Sequence, residues 1–122
     1  MENAVPKASW KERALRLVGL LRAIKIEGSS MAPIINSGDI VLFVPRSLTP
    51  FSKSYASISM GDIVIARHPY MGSIKLLKRV REIDSAGKLF LAGDNEAEST
   101  DSRTLGWFAP KEIEGRVVCR LK

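Results

Sequence analysis

Apolar positions first recur at helical spacing and then, beyond Ile26, gather into short runs set apart by turn residues. Between Trp10 and Ile24, the side chains of Trp10, Ala14, Leu17, Val18 and Leu21 fall near one side of a helical wheel, with Lys11, Arg13 and Arg16 mostly elsewhere. This spacing predicts a short amphipathic helix. A basic, Trp-bearing helix suits two placements, packed on the domain or lying on an anionic membrane surface. Further on, Ile40 to Val44 is a compact apolar run behind Ser37-Gly38-Asp39, and Ile63 to Ala66 is another behind Met60-Gly61-Asp62. Gly-Asp-Ile-Val thus occurs twice, and because the flanks differ we read two similar turn-to-strand starts. Pro45 to Ser59, rich in Ser, Thr and Pro, predicts a loop. Ile74 to Ile83 and Leu89 to Ala92 flank Asp84-Ser85-Ala86-Gly87-Lys88 in the pattern of a hairpin, and Gly115 to Leu121 supplies a last strand. The expected fold is mainly β with one helix in front: an N-terminal segment over residues 1–24 and one domain over 25–122.

Size and charge narrow the functional classes. A chain of 122 residues has room for one domain, and 45% hydrophobic residues suffice for one core. Nineteen Lys and Arg against 13 Asp and Glu leave a net charge of +6, which suits an acidic partner without naming one. Aromatics at 7% and the lack of a binding motif argue against nucleic acid, and none is expected as a partner. One cysteine, Cys119, and one histidine, His68, exclude a disulfide framework and a Cys/His zinc cluster. Any catalysis must draw on other side chains. The longest charge-free stretch, Gly28 to Gly38, falls short of the about 20 apolar residues of a membrane span. Met1 to Trp10 lacks the order of a secretory signal. The cytoplasm is the compartment expected, with peripheral attachment to a membrane through the Trp10 helix as the second placement.

The strand pattern isolates one lysine. With a period of two, Ile74, Leu76, Lys78, Val80 and Glu82 share one face, while Lys75, Leu77, Arg79 and Arg81 share the other, which can be solvated. Lys78 keeps company with three aliphatics, so it either snorkels out or has a chemical task. Burial disfavours the ammonium, lowers the pKa from about 10.4 and makes such a lysine a competent base. A nucleophile is available in Gly28-Ser29-Ser30-Met31-Ala32-Pro33, where small residues flank a serine at a turn, although such serines also serve merely as turn caps. A third segment, Gly93 to Arg103, is dense in hydrogen-bonding side chains; there Asp94 and Ser102 are read as turn-forming.

Taken in this order, the segments resemble the type I signal peptidase family, Ser/Lys proteases that remove leader peptides. Gly28 to Pro33 is similar to the box in which the serine directly before methionine attacks, here Ser30. Gly61 to Val64 resembles the next box, and Lys78-Arg79-Val80 the box whose lysine is the general base. Gly93-Asp94-Asn95, followed by Ser99, Asp101, Ser102 and Arg103, resembles the last. The resemblance runs from about Lys25 to Val118. It implies a small coiled, barrel-like β domain of the signal-peptidase and LexA type, needing neither metal nor organic cofactor. It further implies that Ser99 orients the lysine amine, that Asp101 and Arg103 form an ion pair holding the site, and that the Ser30 N–H binds the oxyanion. Two departures stand out. Gly28 takes the place of a serine that serves some members as second oxyanion donor, leaving a backbone N–H for that task, and Glu96 stands where many members have arginine.

Bacterial members are usually longer, with membrane-spanning segments and an extra β domain. A minimal form without them most resembles the branch that matures nickel-type superoxide dismutase, which implies removal of an N-terminal extension from that precursor protein. The principal alternative is a membrane-associated signal peptidase acting on exported precursors. A LexA-type self-cleaving regulator is less favoured, since no Ala-Gly or Cys-Gly precedes Ser30. A basic nucleic-acid-binding module and a scaffold that binds a leader without cutting it complete the set. A substrate added as a strand at an exposed sheet edge suits a small β protease. His68, just before Pro69, is read as structural.

Overall fold

The computed structural model describes residues 5–17, 19, 21–45, 58–95, 97 and 99–121. Most of the expected Pro45 to Ser59 loop, Val18 of the expected helix face, and Glu96 lie outside the described residues. The elements are α1 (Trp10–Leu17), β1 (Arg22–Lys25), β2 (Ile40–Pro45), β3 (Ile63–Arg67), β4 (Lys75–Ile83), β5 (Leu89–Ala92), α2 (Ser102–Leu105), a 3-10 turn (Pro110–Glu112) and β6 (Ile113–Arg120). The strands form one sheet in the order β1-β2-β6-β3-β4-β5, antiparallel throughout. The mainly β expectation with a short N-terminal helix therefore holds. Among the described residues no helix is long and apolar enough to cross a membrane.

The helix is shorter than its hydrophobic pattern. Ser9 opens α1 in a capping arrangement, its N–H and hydroxyl both donating to Glu12 Oε1 at 2.8 and 2.5 Å. Instead of continuing to Ile24, α1 ends at Leu17, and the Gly19 N–H closes back on the Arg16 carbonyl at 3.0 Å. Arg22–Lys25 is drawn into the sheet as β1, its Ile24 opposite Val41. Leu21, expected on the helix face, packs instead with Leu42, Val44 and Cys119. Trp10 is left 75% exposed. Strand pairing has overridden local helical periodicity.

The twin Gly-Asp-Ile-Val segments share one local structure. Gly38 and Gly61 each have φ +94°, a conformation natural only to glycine. The aspartate that follows each accepts from the backbone N–H three residues before it, Asp39 from Asn36 and Asp62 from Ser59, both at 2.8 Å. Both segments launch strands, β2 and β3, that flank the central β6. The β4–β5 hairpin also forms where expected, with Asp84 Oδ1 accepting from Ala86 and Lys88 across the turn.

Bulges interrupt pairing at Leu42/Phe43, Ile65/Ala66 and Val80/Glu82, bending the strands and shifting side-chain parity. Both faces of the sheet are covered. Ile63, Ile65 and Leu77 join Met31, Ile35 and Val41 in one cluster. Their neighbours Val64, Ala66 and Val80 join Leu91, Phe108 and Ile113 in another. Lys78 lies on a strand with apolar packing on either side.

Candidate active site

Ser30 is held by its neighbours in the chain. Met31 and Ile35, 1% and 0% exposed, pin the turn into the core, and the Ile35 N–H donates to the Met31 carbonyl. Ser30 stays half-buried at the surface of that anchor. From the other side, the Asn95 N–H donates to the Ser30 carbonyl at 2.8 Å and Asn95 Nδ2 to the Ser29 carbonyl at 3.0 Å. The Ser30 N–H has no hydrogen-bond partner among the described residues.

Lys78, 3% exposed, sits on β4 opposite Val64. Its Nζ donates to Ser99 Oγ at 2.9 Å. The Ser99 hydroxyl donates in turn to Asp101 Oδ2 at 2.6 Å and accepts from the Gly93 N–H at 3.2 Å. Because that hydroxyl proton is committed to a carboxylate, Ser99 faces the lysine as an acceptor. One N–H of the amine is thereby fixed, and its lone pair is not consumed by Ser99.

Asp101, 1% exposed, anchors this chain of bonds. Arg103 grips it as a fork, with Nε on Oδ1 at 2.9 Å and Nη2 on Oδ2 at 2.8 Å, and the Gly93 N–H adds a bond at 2.9 Å. Asp101 also caps α2 by accepting from the Arg103 N–H. Burial pushes its carboxyl up, but the bonds from Arg103, Ser99 and Gly93 outweigh this and hold it well below the usual carboxylate range. Lys78 is pushed down from the ordinary lysine range, first by burial and further by the Arg103 charge, against the opposing pull of Asp101. The site thus sets a carboxyl group held below its usual range beside an amine pushed below its own.

Ser30 and Lys78 line the same cleft, about 380 Å³, between the β1 end (Ile24 to Glu27) and the first half of β4. Ser30 Oγ lies 3.5 Å from the Leu77 carbonyl, one residue short of Lys78, and shares no hydrogen bond with Nζ. Ser30, Lys78, Ser99, Asp101 and Arg103 are brought to one place. Gly28 is in the turn beside them, but the cleft lining passes from Glu27 to Ser30 without it. His68 is elsewhere, its Nδ1 accepting from the Tyr70 and Met71 N–H groups at the end of β3. No group of residues fit to hold a metal ion occurs among the described residues.

Strand parity placed Arg79 on the solvated face and composition made Asp94 a turn former; both readings are corrected. Arg79 is 8% exposed, bonds Asp94 through Nε and Nη2 at 2.9 and 2.8 Å, and donates through Nη1 to the Gly61 carbonyl at 2.7 Å. This fork ties the 93–95 loop to the strand that carries Lys78. Leu77, which shares the Arg79 face, is buried as well. Ser102 likewise works beyond a turn, accepting from the Leu91 N–H at 2.8 Å while 4% exposed. Gly93 was quoted only as part of a motif, yet a Cβ there would stand 2.6 Å from the Ser30 carbonyl oxygen.

Residues 6–118 match the family model described as Peptidase S24-like. Among curated proteins, the chain is 30% identical to "Mitochondrial inner membrane protease subunit 1" of Xenopus tropicalis, over 77% of this chain and 65% of that protein. The mouse protein of the same name is also 30% identical, with 80% and 68% covered. The Arabidopsis thaliana "Mitochondrial ATP-independent inner membrane protease subunit 1a" is 25% identical, with 84% and 71% covered. The chain spans a little under two thirds of the frog protein's own length.

Proposed function

The chain belongs to the S24-like peptidase family, and on that premise we propose that it is a serine endopeptidase that uses a Ser30/Lys78 dyad to remove an N-terminal extension from a precursor protein. The observation that carries the reading is the Lys78–Ser99–Asp101 chain of hydrogen bonds, which opens into the cleft holding Ser30. Neutral Lys78 takes the Ser30 proton as Oγ attacks the scissile carbonyl. The Ser30 N–H, which has no partner among the described residues, receives the oxyanion. Lys78 then passes the proton to the leaving amine, and the Lys78 amine, neutral again, draws a proton from the water that releases the acyl group. The long Ser30 contact with the Leu77 carbonyl is compatible with this, since nucleophile geometry tightens when substrate fills a cleft.

Substrate binds as an added strand. β5 covers β4 only from Arg79 onward and β1 is an edge strand, so among the described residues both walls of the cleft carry backbone groups outside the sheet ladder. The membrane-associated alternative is favoured over maturation of nickel-type superoxide dismutase, because the relatives named above are inner-membrane proteases. In that setting, α1 touches the lipid surface with exposed Trp10, Lys11, Arg13 and Arg16.

The test is mass spectrometry of two probes, an Ala-x-Ala leader peptide and a nickel superoxide dismutase precursor, each incubated with the protein and with Ser30→Ala and Lys78→Ala. Single cuts in the leader peptide, lost in both variants, support the dyad and the membrane-associated reading. A cut confined to the dismutase precursor reverses the choice of substrate. Cleavage that survives either substitution removes that residue from the mechanism.

A further inference from the structure

The cleft that holds Ser30 and Lys78 continues past Lys75. Ile24, Ile65 and Lys75 also line a second cleft of about 300 Å³, so the two adjoin. Its floor is apolar, formed by Phe43, Ile65 and Ile113. Phe43 lies directly against Gly115, where a Cβ would come within 2.5 Å of the ring. The rim is basic. Glu114 is engaged by Lys75 and, at 3.9 Å, by Arg67. Arg22 and Lys111 line the same space with no ion pair among the described residues.

We propose that this second cleft is a substrate subsite that selects an acidic side chain, Asp or Glu, in the extended segment of the precursor, with Arg22 and Lys111 as its specificity-determining residues. The inference rests on the endopeptidase reading above and adds a substrate class to it. Lys75 stands three residues from Lys78 along β4, roughly 10 Å at about 3.3 Å per residue. A substrate strand has the same rise, so its residues roughly three to six from the scissile bond cross the second cleft. A carboxylate there meets two cations over an apolar wall, where charge attraction is less screened than on open surface. A lysine in the same position meets like charge, and among the described residues lining the cleft the one carboxylate, Glu114, is taken.

The experiment digests a diverse peptide mixture and sequences the products by mass spectrometry. With the wild-type protein, cut peptides should be enriched about threefold in Asp or Glu at one or more positions three to six residues from the cut, and the enrichment should shrink at high salt. Arg22→Gln with Lys111→Gln should abolish the enrichment. Arg22→Glu with Lys111→Glu should turn it toward Lys and Arg, an outcome that misfolding cannot imitate. Ser30-dependent cuts that ignore acidic residues, or a preference unchanged in both double variants, overturn the subsite alone. A digest with no Ser30-dependent cut overturns the endopeptidase reading and the subsite with it.

Discussion

Gly93→Ala adds one methyl group at the point where two parts of the site meet. The new Cβ would stand 2.6 Å from the Ser30 carbonyl oxygen, 2.7 Å from Ser99 Cβ and closer still to Ser99 Oγ, where ordinary contact begins at 3.4 Å. Either the Ser30 turn or the Ser99 segment must retreat by roughly 1 Å. Neither can do so freely. The Ser30 carbonyl is held by the Asn95 N–H, and Ser99 Oγ is held by Lys78, Gly93 and Asp101. Overpacking of this kind costs about 1–3 kcal/mol of stability, and a reacting group misplaced by about 1 Å costs about 100-fold in rate. The assay is kcat/KM on a cleaved precursor peptide, at a temperature where circular dichroism finds the variant folded. A folded variant within about threefold of wild type would refute the claim that these contacts set the distance between nucleophile and base.

Lys78→Met should remove activity and raise stability, by about 1 kcal/mol near neutral pH, because a buried ammonium is exchanged for an apolar chain of similar length. Lys78 is pushed below its ordinary range, so between its folded pKa and about 10.4 the unfolded wild-type chain binds the extra proton, and wild-type stability rises with pH. The advantage of Lys78→Met should therefore be largest below the folded pKa and fade toward pH ~10; a pH-independent difference in denaturation midpoints would contradict this. Wild-type kcat/KM should climb through the same lowered pKa, and a flat profile would exclude Lys78 as base. Asp101→Asn should cost about 2–3 kcal/mol, discounted from a fully buried pair because Arg103 is 37% exposed. The Asp101 contribution is present above about pH 4 and lost only in strong acid, which acid titration of wild type against variant checks. Trp10→Ala should weaken co-flotation with anionic vesicles several-fold; equal flotation would remove α1 as the lipid contact.

What could be read from the sequence was what repeats or alternates. The paired Gly-Asp-Ile-Val starts, the β4–β5 hairpin and the last strand carry their turn chemistry locally, in Asp39, Asp62 and Asp84. Lys78 stood out because it shares its face with three aliphatics, Ile74, Leu76 and Val80. Arg22 to Ile24 did not, because nothing within the segment records that β2 offers it a free edge. Arg79 was misplaced for a similar reason. Alternation tells which residues share a face, but not that both faces of this sheet are covered, and the partner that makes burial of Arg79 tolerable lies fifteen residues away in Asp94.

The two buried basic residues on β4 show how neighbours of like charge are given opposite surroundings. Arg79 receives a full carboxylate fork from Asp94, so its charge is retained inside the protein. Lys78 receives only a hydroxyl whose proton already belongs to Asp101, and the negative charge stands one residue further off, itself gripped by Arg103. Moving that carboxylate into direct contact with Nζ would stabilise the ammonium and undo the base role proposed for Lys78. Interposing Ser99 keeps the amine oriented while denying it a counter-ion. The fork on Arg79 and the serine beside Lys78 are therefore complementary. The first uses a carboxylate to fix the loop in place, and the second withholds one, which suits the base role proposed for Lys78.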